Sequence, residues 1–167
     1  QIVMKEFSND DNLLFYFTSS EGESLITRKI DVTDNVVPSS NSSMAKVLFQ
    51  LGTLLDRSEW RERAEEMLKI IQSDLTFGQN HSNWSTLALW MSEPYYEVAI
   101  TGPEFLTVSR SMDSSYLPQV ILLGGTEGSI PLLEGKFFDE TTIFVCQNKT
   151  CQLPVNEVSE ALEQMVD

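Results

Sequence analysis

The chain has 167 residues, 41% hydrophobic and 10% aromatic, with 25 Asp and Glu against 11 Lys and Arg for a formal net charge of −14. This length suits one domain, or two small lobes, and the apolar share suits a packed core rather than a disordered chain. The acidic excess argues against a nucleic-acid partner, because phosphate affinity comes from Lys and Arg, and it disfavours an anionic membrane surface for the same reason. Gln1 to Phe7 lacks the apolar core and small-residue cleavage site of a signal peptide. The start at Gln1 rather than Met reads as a processed product or an excised part of something longer. No later stretch approaches the roughly 20 apolar residues that span a bilayer. No membrane role is expected, and a cytoplasmic location is favoured.

Leu13 to Thr18 is an apolar and aromatic run, Ser19 to Glu23 supplies turn residues, and Ser24 to Ile30 returns as a second strand, which together read as a β-hairpin. A polar approach from Asp31 to Ser43 follows. Ser40, Asn41 or Ser42 there can cap a helix by accepting bonds from first-turn N–H groups. The next segment carries a helical stripe of Met44, Val47, Leu48, Leu51, Leu54 and Leu55, with Gly52 inside it permitting close packing. Asp56-x-x-Glu59 resembles a capping box for a second helix that buries Trp60, Ala64, Met67, Leu68, Ile71 and Leu75. Glu59–Arg63, Arg61–Glu65 and Glu65–Lys69 stand four apart on its wet side. The two helices form an αα-hairpin. A third helix over Asn83 to Met91 stops before Pro94.

The pattern then changes. Tyr95 to Ile100 is a β-branched and aromatic strand, and Gly102-Pro103-Glu104 turns it into a short helix carrying Phe105, Leu106, Val108 and Met112. Gln119 to Leu123 is a second strand, followed by a Gly124 to Gly128 loop, and Thr141 to Cys146 is a third. A terminal helix after Pro154 carries Val155, Val158, Leu162 and Met165, with Asn156 as its cap. Strands separated by a helix predict a βαβ unit in a small parallel or mixed sheet. The fold class is therefore α+β (mixed), with a division into residues 1–93 and 94–167.

Cys146 and Cys151 are five apart, which is neither a disulfide framework nor the C-x-x-C of a redox motif. They read as unreactive thiols near a strand end, as a redox pair, or as part of a shared metal site. With His81 the sole histidine, no metal site is assigned. His81 lies in the polar run Gln79-Asn80-His81-Ser82-Asn83 and reads as a surface or capping residue, since no nucleophile adjoins it. Gly124 to Gly128 lacks the G-K-[ST] ending of a phosphate loop and reads as a turn. No cofactor is implied.

Phe15-Tyr16-Phe17-Thr18, Leu25-Ile26-Thr27-Arg28-Lys29, Asp34-Asn35-Val36-Val37-Pro38-Ser39-Ser40-Asn41-Ser42, Tyr116-Leu117-Pro118, Pro131-Leu132-Leu133-Glu134-Gly135-Lys136 and Cys146-x-Asn148-x-x-Cys151-x-x-Pro154 stand in this order. The series resembles the C-terminal end of the large thioredoxin-domain proteins related to spermatogenesis-associated protein. In that family a thioredoxin-like domain precedes an α/α toroid of the six-hairpin glycosidase or N-acylglucosamine 2-epimerase type. The resemblance implies that residues 1–93 are the closing hairpin and helices of the toroid and that residues 94–167 are an appended lobe. It implies that the chain's partner is the remainder of its own polypeptide, and that its role is structural. Ser40 departs from the Gly common in the family, which bears on the geometry of that loop. An apolar stripe separated from its toroid neighbours would promote association, including homodimers of the isolated chain.

Two readings of the 34–42 segment stay open. In one, Asp34, Asn35, Ser39, Asn41 and Ser42 line a toroid mouth, hold sugar hydroxyls, and let Asp34 act on a water, so that the chain contributes a carbohydrate-binding or catalytic wall. In the other, Ser and Asn cap the helix, Asp34 stabilises its dipole and Pro38 fixes the approach. Glycosidase chemistry needs a second carboxyl about 5–9.5 Å away, and Asp31 is the nearest in sequence.

Overall fold

The computed structural model describes residues 1–9, 11–23 and 26–166. It is an α+β protein that divides into two compact units, one of Gln1–Gly52 with Arg57–Leu89 and one of Thr53–Asp56 with Trp90–Asp167. The first unit holds α1 (Ile2–Glu6), α3 (Ser58–Ile71) and all but the last residues of α2 (Ser40–Leu54) and α4 (Ser82–Ser92). The second holds β1 (Tyr96–Thr101), α5 (Phe105–Asp113), β2 (Val120–Gly125), β3 (Thr142–Gln147), β4 (Thr150–Cys151) and α6 (Val158–Glu163).

In the first unit the expected hairpin of Leu13 to Thr18 with Ser24 to Ile30 shrinks to isolated contacts. Tyr16 bridges Ile30, Ser8 bridges Phe15, and the Phe17 N–H donates to Lys29 O at 2.8 Å. Ser24 and Leu25 lie outside the described residues. Two arginines tie this region down where a ladder does not. The Arg28 guanidinium lies 4.1 Å from the Tyr16 ring centroid and donates to the carbonyls of Glu6 and Thr18. Arg63 of α3 lies 4.2 Å from the Phe15 centroid and donates to Leu13 O at 3.1 Å, and burial lowers its pKa from the ordinary arginine value. A desolvated cation over a ring contributes about 1–2 kcal/mol.

Helix α2 presents a different face to the core than its apolar stripe predicts. Asn41, Ser42, Ala45, Leu48, Phe49 and Gly52 are buried, whereas Val47 and Leu51 are 42% and 39% exposed. Gly52 lies where α2 turns toward α3. A Cβ there would stand 2.8 Å from Arg61 Cγ and 3.0 Å from Arg57 O, so the close approach needs glycine. The expected capping box is absent. Asp56 takes φ 54°, and α3 starts at Ser58 with Arg57 before it and no side-chain cap. Ala64, Met67 and Ile71 of α3 are buried as its spacing predicts, whereas Trp60, Leu68 and Leu75, expected to be buried with them, are half-buried, and Leu75 lies beyond the helix. Of its three predicted ion pairs the Glu65–Lys69 pair forms at 2.8 Å, with Glu66 as a second partner at 2.8 Å. Both carboxylates raise the Lys69 pKa, Glu65 foremost.

In the second unit the strand order is β2-β1-β3-β4, with β1 parallel to β2 and antiparallel to β3, and β3 antiparallel to β4. Strand β1 is buried along its whole length, so both faces must be covered. Alternate residues Tyr96, Val98 and Ile100 pack with Ile143 and Val145 against Met112 and Ala161, the buried residues of α5 and α6. On the opposite face Ala99, Phe144 and Cys146 pack with Leu132 and Leu133 of a single 3₁₀ turn. Strand β2 runs on through Gly124 and Gly125, where the sequence reading put a loop. The terminal helix is shorter than expected: Val155 bridges Ile143 as extended chain, and Glu157 rather than Asn156 precedes α6.

Gly102 makes the turn from β1 to α5 at φ 117°, and a Cβ there would lie 2.6 Å from Thr141 Cα and 2.9 Å from Glu140 O. Both the dihedral and the backbone neighbour exclude a side chain. Gly102→Ala should therefore cost about 2–4 kcal/mol. Urea unfolding followed by tryptophan fluorescence checks this, and a loss below about 0.5 kcal/mol contradicts the close approach.

Candidate functional site

The 34–42 segment is a densely bonded polar cluster within the first unit. The loop before α2 brings Asp34 beneath two helix starts at once, and its carboxylate is 2% exposed. Asp34 Oδ1 accepts the Ser39 N–H at 2.9 Å and the Ser42 hydroxyl at 2.6 Å. Asp34 Oδ2 accepts the Asn83 N–H at 2.8 Å, in the first turn of α4. The Asp34 N–H donates to Asn80 O at 2.8 Å, closing the connection between α2 and α4 from the backbone side. N–H groups in the first turn of a helix have no intrahelical partner, and a carboxylate is the acceptor favoured by the positive helix end.

Ser39, the residue before the helix, supplies the side-chain cap: its Oγ accepts the Ser42 N–H at 3.0 Å. Ser40, Asn41 and Ser42, the expected caps, already lie inside α2. Ser40 is exposed at the first helical position. Asn41 is completely buried and faces away from Asp34's carboxylate in its bonding: its Oδ1 accepts the Phe15 N–H at 2.7 Å, and its Nδ2 donates to Phe15 O at 2.9 Å and Asp31 O at 2.8 Å. Its amide thus stands in for a neighbouring strand along Phe15. Asn35 is exposed and its Oδ1 accepts the Val36 N–H, a local turn bond.

The structure therefore brings Asp34, Ser39 and Ser42 together, places Asn41 beside them on separate partners, and leaves Asn35 at the surface. The chemistry open to the cluster follows from the count of lone pairs. Three donors point at the Asp34 carboxylate, which is shut off from bulk water, so the group acts as an acceptor for backbone and hydroxyl protons. The Asp31 carbonyl, rather than its carboxylate, is what reaches the cluster.

His81 is 7% exposed, a buried residue rather than a surface one. Its Nδ1 donates to Phe77 O at 3.3 Å, and its own carbonyl accepts from the Ser85 N–H and Oγ at 2.8 and 2.9 Å. Asn83 and Asn80 are the members of the cluster that sequence reasoning missed. They stand 49 and 46 positions from Asp34, and their only sequence signal is the polar run before an apolar helix. The Asn83 side chain accepts from Lys46 Nζ at 2.9 Å, a further link between α2 and α4.

In the second unit, the sulfurs of Cys146 and Cys151 are joined in a disulfide across β3 and β4. This corrects the expectation of two unpaired thiols: the residues are direct register partners on adjacent antiparallel strands. Among the described residues no group of three His, Cys, Asp or Glu is placed to hold a metal ion, and no helix is long and apolar enough to cross a membrane. In comparisons with known proteins, no family model, no curated protein and no solved structure matches the chain.

Removing the carboxylate leaves the Ser39 and Asn83 N–H groups without their acceptor, while the Ser42 hydroxyl keeps only the Ser39 carbonyl at 3.1 Å. Asp34→Ala should lower stability by about 3–5 kcal/mol and Ser42→Ala by about 1–2 kcal/mol, while Asn35→Ala should stay within about 0.5 kcal/mol of the parent. Urea midpoints for the three variants test the ranking, which fails if Asp34→Ala is as mild as Asn35→Ala.

Proposed function

We propose that the chain is a non-catalytic structural part of a larger thioredoxin-domain protein, as the family resemblance implies, and that its helical unit packs against further helices of the same polypeptide. The observation that carries this reading is the commitment of the 34–42 polar groups to the molecule's own helix starts. A sugar-binding wall needs hydroxyl, amide and carboxylate groups with free lone pairs at a surface, whereas Asp34, Ser39, Asn41 and Ser42 are buried and bonded inward.

A second feature supports it. Val47 and Leu51 stand outside on α2, and Phe17 is 62% exposed. Val3, Phe7, Phe17, Met44 and Val47 line a groove of about 310 Å³ that is mostly apolar. Contiguous apolar surface of this kind marks a face covered by another element, and residues three and four apart on a helix match the ridges another helix needs. The remainder of the polypeptide is the partner this reading assigns to the face.

Without that partner the face should drive weak self-association of the chain. Sedimentation velocity at rising concentration should show a monomer–dimer equilibrium for the parent. Val47→Glu combined with Leu51→Glu should return it to a monomer with an unchanged far-ultraviolet circular dichroism spectrum. A parent that stays monomeric and binds no hydrophobic dye defeats the reading.

A further inference from the structure

The β3–β4 hairpin holds a disulfide that the proposed structural role leaves without a part. Asn148 and Lys149 form its tip at φ 49° and 68°, both left-handed, which is the two-residue turn that matches the twist of antiparallel strands. Cys146 and Cys151 then face one another with a sequence separation of five and share a disulfide.

The hairpin is held by other means. The Gln152 N–H donates to Val145 O at 2.9 Å, and Ile143 and Val155 exchange bonds of 2.8 and 3.0 Å. The Lys149 ammonium pairs with the Asp56 carboxylate. A cross-link constrains the unfolded chain least when the loop it closes is short, and here the turn already brings the two residues together. Holding β4 in place therefore gives this bond little to do.

The two sulfurs are also unequal. Cys146 is 1% exposed and packs with Ala99, Leu132, Leu133 and Phe144. Cys151 is half-buried on a two-residue edge strand between exposed Thr150 and exposed Gln152. Cys151 packs only partly against the Cys146 cluster, so of the two residues it is the more accessible to a thiolate arriving from solvent.

We propose that Cys146–Cys151 is a thiol–disulfide exchange site for dithiol partners, with Cys151 the sulfur attacked and Cys146 the leaving and resolving group. The incoming thiolate forms a bond to Cys151 Sγ while the Cys146–Cys151 bond breaks, and Cys146 departs as a thiolate that takes up a proton. The partner's second thiol, as a thiolate, then attacks its own sulfur in the mixed disulfide and releases Cys151. Two electrons pass from the dithiol, which becomes a disulfide, to the protein, which gains two thiols. In the reverse direction the Cys146 thiolate attacks Cys151 Sγ in a mixed disulfide and expels the partner.

The test uses the whole chain, dithiothreitol and glutathione disulfide as probes, and alkylation with peptide mapping as the readout. Dithiothreitol should reduce the parent fully while its circular dichroism spectrum stays native. Glutathione disulfide should modify Cys151 in Cys146→Ser at least about tenfold faster than Cys146 in Cys151→Ser, following thiol exposure. Equal labelling of the two cysteines, or reduction that proceeds only as the chain unfolds, overturns the proposal. These readouts are independent of self-association, so the helical packing proposed above can fail without affecting them.

Discussion

The Asp34 carboxylate is the constraint on which the helical unit depends. A buried carboxylate without partners is not tolerated, because desolvation favours its neutral form or its removal to the surface. Here three donors surround it, and two of them are N–H groups that a helix start leaves unpaired. The arrangement solves two problems with one group: the charge acquires donors, and α2 and α4 acquire acceptors. It also fixes how the helices lie. Asn83 can donate to Asp34 only if the start of α4 stands beside the start of α2, and the Asn80 carbonyl bond holds the loop between them in place.

The same network sets the rotation of α2 about its axis. Residues 44, 47, 48, 49, 51, 54 and 55 are all apolar, so α2 offers hydrophobic surface on most of its circumference. The Met44–Val47–Leu51 side and the Ala45–Leu48–Phe49 side both offer apolar surface to bury. The polar residues decide between them. Asn41 must reach both backbone groups of Phe15, and Ser42 must reach Asp34, so these two turn inward. At 100° per residue this rotates the helix by roughly 100° from the face its apolar stripe suggests. Val47 and Leu51 are left outside as a consequence.

That competition explains what could and could not be read from the sequence. The α3 core positions Ala64, Met67 and Ile71 were legible because that helix has charged residues on its other faces, so its pattern has a single solution. Strands β1 and β3 were legible as short β-branched and aromatic runs bounded by turn residues. The orientation of α2 was not, because hydrogen-bond partners 8 to 26 positions away outweigh a periodicity that fits several faces. Strand β4 escaped for a different reason: two residues carry no periodic signal, and its pairing follows from the Asn148-Lys149 turn. The Asp56-x-x-Glu59 motif misled because Asp56 adopts a left-handed backbone and its side chain pairs with Lys149 instead. Asp34, Ser39, Asn41 and Ser42 were legible as a polar segment, but Asn35 of the same segment stays at the surface and Asn80 and Asn83 were not legible as members. The direction of the side chains was not legible either, since the same Asp, Ser and Asn types serve a ligand or a helix start equally well, and only burial separates the two.

Burial separates the chemistry of the two units as well. In the 34–42 cluster the Asp34 carboxylate, the Ser39 and Ser42 hydroxyls and the Asn41 amide are bonded to the molecule's own groups, as the proposed structural role requires. Its contribution is rigidity. At the β3–β4 hairpin the opposite holds: the backbone ladder is complete without the disulfide, so the sulfur–sulfur bond can open while the strands that carry it remain paired. A bond that can change state without loss of fold is what exchange chemistry requires, and an edge strand is where such a bond is reachable. The residues that look most like an active site are thus the ones the fold cannot release, and the group free to react lies where the fold has the least need of it.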